Sequence, residues 1–391
     1  VNLSGLPAHT DAADSQAHVT GDASSNYAIL HSFGNGSDGS EPSAELVYVN
    51  GTLYGTTEAG GANDKGTVFS INSTGVEHVL HSFGNGFDGA QPAAGLIDVN
   101  GTLYGTTVSG GRHGQGRGSG YGTVFTITTS GKERVLHNFD DTDGANPFAA
   151  LIDANGILYG TTSGGGNTFG TVFSITPKGD FHVLHLFDDV DGEYPVSPLV
   201  AVKGALYGTT AAGGSGRHGA IFRATLNGDV KDLYSFGIDY RKGYDPRAGL
   251  TDVNGTLYGT TAQGGNHGDG IIFKINTSGK EQLLHNFTGK DGSLPYGDLT
   301  RVNNTLYGTA RCGGSASGGC SLSRGAPGGT VFSVTTSGKV TVLHNFGQKT
   351  DDGAQPAAGV IDVHDTLYGT TFFGGAYGQY LSGGSAFALK L

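Results

Sequence analysis

The motif Leu-Tyr-Gly-Thr occurs seven times along a chain of 391 residues, with its tyrosine at Tyr54, Tyr104, Tyr159, Tyr207, Tyr258, Tyr307 and Tyr368. Successive tyrosines are 50, 55, 48, 51, 49 and 61 residues apart. A period near fifty belongs to propellers and solenoids, whose units bury their apolar faces only against their neighbours. A length that would otherwise suggest two or three domains is therefore spent on one array.

The second unit shows the parts most clearly. Ala93 to Val99, Thr102 to Thr107, Gly122 to Ile127 and Val135 to Phe139 are four short runs rich in β-branched and aromatic residues, separated by turn signals. Asn100-Gly101 between the first two is the strongest short hairpin signal, because a type I′ turn needs positive φ at both central residues. Four antiparallel strands repeated seven times predict an all-β, seven-bladed β-propeller. A solenoid is the competing architecture, and the termini argue against it. The chain opens on a lone outer-strand sequence at 27–33 and closes on a lone third strand, Ser385 to Leu389. In a ring, the first completes the C-terminal blade. The expected division is an N-terminal extension at 1–26 and a propeller at 27–391.

The units built from LYGTT..GG, GTVFSI, VLHSF and DGA.PAAGLI resemble the GloVer (Gloeo/Verruco) tandem repeat of exported bacterial proteins. The resemblance runs from Tyr27 to Leu391. It implies secretion or surface attachment and brings no catalytic residues with it.

A formal net charge of −12 speaks against nucleic acid and anionic membranes, which call for clustered Lys and Arg. No apolar run approaches the roughly 20 residues needed to span a bilayer. The absence of Met, with Val1 at the first position, leads to the expectation that a leader peptide is removed and the protein is secreted. Cys312 and Cys320 bracket a Gly/Ser stretch short enough for a local disulfide; free thiols or a metal are the other readings.

His31, His81, His137, His185, His285 and His344 recur once per unit, with Tyr234 in the remaining one. A ring keeps them apart, so they are read as hydrogen-bonded residues packed between blades rather than as a metal or acid–base site. Two connectors carry Asp-x-Asp-Gly, at Asp141 and Asp143 and at Asp189 and Asp191. This resembles half of a calcium loop, and it is also ordinary turn chemistry.

Function in an array is expected where the repeat breaks. The connector after the fourth unit carries Tyr240, Arg241 and Arg247. The sixth unit adds Arg311 and Arg324, and the seventh adds Phe372, Phe373, Tyr377 and Tyr380. Insertions in the second and fourth units carry Arg112 and His113, and Arg217 and His218. Tyrosine faces stack on sugars and arginine forks grip carboxylates or hydroxyls, so these residues are the candidate ligand site. The expectation is a secreted, non-catalytic binding or scaffold module for glycan or extracellular protein. One alternative is a self-assembling structural protein, a homo-oligomer joined through residues 1–26. The other is a polysaccharide lyase or hydrolase using Tyr240, Arg241 and His218.

Overall fold

The computed structural model describes residues 26–113, 120–166, 169–315, 328–349, 351–377 and 383–391. Seven four-stranded antiparallel sheets form the blades of a β-propeller. Blade 1 comprises Val47–Val49, Thr52–Thr57, Thr67–Ile71 and Glu77–Ser82, from the axis outward. Blades 2 to 6 repeat that order. The three-residue inner strands of successive blades touch and line the channel.

Blade 7 is assembled from both ends of the chain. Ile361–Asp362, Thr366–Thr371 and Ser385–Lys390 supply three strands, and Tyr27–Ser32 supplies the outer one. Tyr27 faces Leu389, and a register shift falls between Ile29 and His31. The same irregularity falls at Val68/Phe69 in blade 1, so the N-terminal strand enters as an ordinary outer strand. The Asn-Gly turns have the expected form, with Asn50 at φ 49° and Gly51 at φ 90°.

Each letter of Leu-Tyr-Gly-Thr has an assigned contact. In blade 1, Leu53 packs toward blade 7 with Phe33, Phe69 and Ala386, while Tyr54 packs toward blade 2 with Leu96, Leu103 and Phe125. A Cβ at Gly55 would lie 2.5 Å from the Phe69 ring, so glycine makes room for that phenylalanine. The threonine ties one blade to the next. Thr56 donates to Ala94 O at 3.0 Å, the other blades follow suit, and Thr370 closes the circle on Ala44 O at 3.0 Å. The core accordingly forms seven clusters, one at each junction.

The repeated histidines pin the connectors. His81 Nε2 lies 3.0 Å from Asp88 Oδ2, and Asp88 Oδ1 accepts the Gly84 N–H at 3.0 Å. Blades 2, 3, 5 and 7 do the same with Asp143, Asp191, Asp291 and Asp38. In blade 6 the pair loosens to 3.6 Å because Asp352 is shared with the Tyr27 hydroxyl at 2.9 Å. In two blades the first residue of the outer strand stacks on the preceding pin, Phe181 on His137 at 3.7 Å and Tyr27 on His344 at 3.7 Å. Three blades place a glutamate there, Glu77, Glu133 and Glu281, each with Oε1 buried and without a hydrogen-bond partner.

Asp88→Ala is expected to cost about 1–3 kcal/mol, because it strands a backbone N–H and an imidazole. Asp239→Ala, in the connector that has no histidine pin, leaves the urea midpoint unchanged. Equal midpoints for the two variants would show that the pin does not hold the connector.

Candidate functional site

Every connector ends in proline, three further residues and a leucine or valine that leads into the inner strand. The ring places the residue after each proline on the rim of the channel: Ser43, Ala93, Phe148, Val196, Arg247, Tyr296 and Ala357. The residue two places after the motif threonine joins them from blades 1, 6 and 7 as Glu58, Arg311 and Phe372. Together they enclose a cavity of about 410 Å³ on the connector face, within the usual range for small-ligand sites.

Most of the wall is alanine, glycine and valine, and the chemistry is concentrated on one side. Tyr296 stands between two guanidinium groups, with Arg247 Cζ 5.4 Å and Arg311 Cζ 5.5 Å from its ring centre. Arg311 also lies 5.4 Å from the Phe372 ring. Arg247 Nε donates to Asp245 Oδ2 at 3.0 Å. Arg311 has no such partner: among the described residues no carboxylate lies within ion-pair distance of it. Its hydrogen bond runs from Nε to Gln355 Oε1 at 3.2 Å. Burial pulls its pKa below the ordinary arginine value.

Three carboxylates line the cavity, and the charge of one of them, Glu58, acts on Arg311. Asp298 accepts the Gly249 N–H, and Glu45 Oε1 passes across Gly359, where a Cβ would come within 2.9 Å of it. Burial raises the pKa of both, and the Asp298 charge raises that of Glu45 further. Glu58 is raised by burial as well. The cavity thus holds two fixed cations beside acids that resist ionising.

The sequence model of the Gloeobacter/Verrucomicrobia repeat matches residues 18–119 and 115–322. The chain belongs to that family. No curated protein matches this Gloeobacter/Verrucomicrobia repeat propeller. A solved structure similar to it is that of a Bacteroides uniformis protein provisionally called a 6-phosphogluconolactonase, with TM-score 0.53 and 16% identity over 81% of this chain and 88% of that one. At that identity the likeness concerns the fold alone. A chain from a Saccharomyces cerevisiae complex containing Dbp5, Nup159 and Gle1 has TM-score 0.49 and 11% identity, over 93% of this chain and 95% of that one. The neuraminidase-like N11 protein of a bat influenza A virus has TM-score 0.43 and 11% identity, over 73% and 83%.

The structure of this repeat propeller divides the residues singled out in its sequence. Arg247, Arg311 and Phe372 meet at the channel. Tyr240 and His218 lie farther out with Tyr244, in a cluster of rings whose centres are 5.2 to 5.7 Å apart. Arg241 turns to solvent, 76% exposed, and pairs with Asp239 at 2.9 Å. Arg217 occupies a turn at φ 61°. Arg112 and His113 are exposed on blade 2, with the Arg112 N–H donating to Asn138. Tyr377 is exposed on blade 7, against the turn at Gly34.

Arg324, Tyr380, Cys320 and residues 1–25 lie outside the described residues; Cys312 is buried. In the two Asp-x-Asp-Gly loops, Asp143 and Asp191 serve as histidine pins at 2.8 and 2.6 Å. Asp141 and Asp189 are exposed, and the described residues contain no group of three metal-ligating side chains.

Sequence reasoning missed Tyr296, Glu45, Asp298, Glu58 and Phe148. The signal for Phe148 and Tyr296 was present as a column: reading the residue after each connector proline down the seven units picks out Phe148, Arg247 and Tyr296 among small residues.

Proposed function

We propose that this propeller is a secreted, non-catalytic binding module that takes the carboxylate of an acidic sugar at the mouth of its channel. The observation that carries this reading is Arg311, a half-buried guanidinium held between two rings, whose Nη nitrogens have no hydrogen-bond partner among the described residues and whose counter-charge within the cavity is the raised-pKa Glu58. A charge withdrawn from water is stabilised by an anion that supplies the missing hydrogen bonds, and a planar carboxylate fits the planar fork. Arg247 stands on the same side, its charge shared with Asp245 at 3.0 Å, and Phe148, 43% exposed on the rim, offers a flat face for a pyranose ring. The lyase reading finds no comparable support, since Arg241 is neutralised by Asp239 away from the channel.

Calorimetric titration with galacturonate, glucuronate and mannuronate oligomers, against neutral glucans, tests the proposal. Acidic oligomers are expected to bind and neutral ones not, with Arg311→Ala losing at least about tenfold in affinity, the equivalent of one charge-assisted hydrogen bond. Absence of binding by every acidic oligomer, or equal affinity in the variant, overturns it.

A further inference from the structure

The channel mouth opens onto a second cavity of about 420 Å³, and the two share Phe148, Val196 and Arg247. This second space runs outward over blades 3 to 5, with Tyr194, Asp245 and Gln263 in its walls. It leads toward the ring cluster of His218, Tyr240 and Tyr244, since the Asp245 N–H donates to His218 O at 3.0 Å. On the rim of the mouth the residues after the prolines toward blades 1, 2 and 7 are Ser43, Ala93 and Ala357, and among the described residues the ring on that side, Phe372, packs against Arg311.

Two features of this path are departures from the repeat. The residue before each connector proline has positive φ in all seven units, at Glu41, Gln91, Asn146, Tyr194, Asp245, Leu294 and Gln355. Short or polar side chains suit that conformation, yet unit 4 carries a tyrosine at φ 56°, 48% exposed. The connector beyond it has no histidine pin. Its backbone forms instead a single 3₁₀ turn at Tyr240–Lys242, and the Tyr240 ring is 52% exposed.

We propose that the site is a one-sided groove for the end of a carboxylated polysaccharide chain. The terminal unit sits in the channel with its carboxylate on Arg311 and Arg247, and the following units lie outward across Tyr194 toward Tyr244 and Tyr240. The inference rests on the channel reading above and adds length and direction to it. Charge complementarity selects the occupant: the Arg311 guanidinium stands at the inner end beside the Asp245-paired Arg247, and the exposed rings of Tyr194 and Tyr240 line the way out. An acidic peptide has no corresponding use for the ring faces.

The test is a titration series of mono-, di-, tri- and tetragalacturonate. Affinity is expected to rise at least tenfold from monomer to trimer. Tyr194→Asn, which keeps a residue suited to positive φ, and Tyr240→Ala should each weaken the trimer about fivefold and leave the monomer unchanged. Long polygalacturonate should compete in proportion to its chain ends rather than its mass. Equal affinity for monomer and trimer, or competition that follows mass, overturns the groove while leaving the channel reading intact. Failure of every acidic sugar to bind overturns both. A tetraglutamate that binds as tightly as tetragalacturonate overturns the sugar assignment.

Discussion

Replacing Phe33 by alanine is expected to open the ring. Phe33 is fully buried, packs 4.7 Å from the Phe69 ring, and belongs to the cluster that joins blade 7 to blade 1. Removing a buried phenylalanine costs about 3–5 kcal/mol. Phe139 has the same role between blades 2 and 3 and should cost as much. The consequences differ because the chain itself connects blades 2 and 3, whereas blade 7 is held together only by the pairing of the two ends. An open cleft of about 460 Å³ lies at the seam, lined in part by Leu46, Tyr48, Ile361 and His364.

Once the 27–32 strand leaves, it and Ser385–Lys390 become unpaired edges, which pair readily with other chains. Phe33→Ala should therefore show both a lowered urea midpoint and concentration-dependent association by size-exclusion chromatography, and Phe139→Ala only the first. Identical behaviour of the two variants would show that the seam is no weaker than any other junction.

The second large effect is a loss of stability on going from mildly acidic to mildly alkaline solution. Burial pushes the Glu77 carboxyl up to about 8 from an ordinary 4.5, with the Asp38 charge adding to the shift, and pushes Glu133 up to about 7. Glu281 is raised by burial too. A raised folded-state value means that the folded protein holds a proton which the unfolded chain has given up. The stabilisation is thus complete below the ordinary glutamate value and is lost as pH climbs from about 5 to about 8.

Glu77→Gln removes the titration while keeping the shape. It should gain roughly 2 kcal/mol at pH 8, a figure already discounted for the solvent that reaches the carboxyl, and almost nothing at pH 5. A variant whose stability keeps the full pH slope would locate that slope in other groups.

The fold was legible because each residue of the repeated motif answers a demand that recurs at every junction. Leu53 and Tyr54 face opposite neighbours, Gly55 admits Phe69, and Thr56 reaches Ala94. None of these tolerates much variation, so the repetition survives in the sequence. The site was legible only in part. Arg247 and Arg311 drew notice as departures from the repeat, but so did Arg241, which Asp239 neutralises locally. Tyr296 and Phe148 are single residues in connectors of otherwise ordinary length, and only the closed circle brings them to one rim. The second aspartates of the Asp-x-Asp-Gly loops look like metal ligands in a local window because the histidine each one binds lies six residues earlier, on the outer strand before the loop.

The threonine ties run one way around the propeller, each blade donating to its successor and the last to the first. Every unit therefore carries one half of the joint in front of it and the other half of the joint behind. An in-frame duplication of such a unit inserts a blade whose bonds to both neighbours already exist, so a gene for this protein can lengthen or shorten by whole blades without new side-chain pairings having to arise. Inherited copies are then free to diverge at the one residue after each proline, where a change meets the channel mouth and leaves the joints alone.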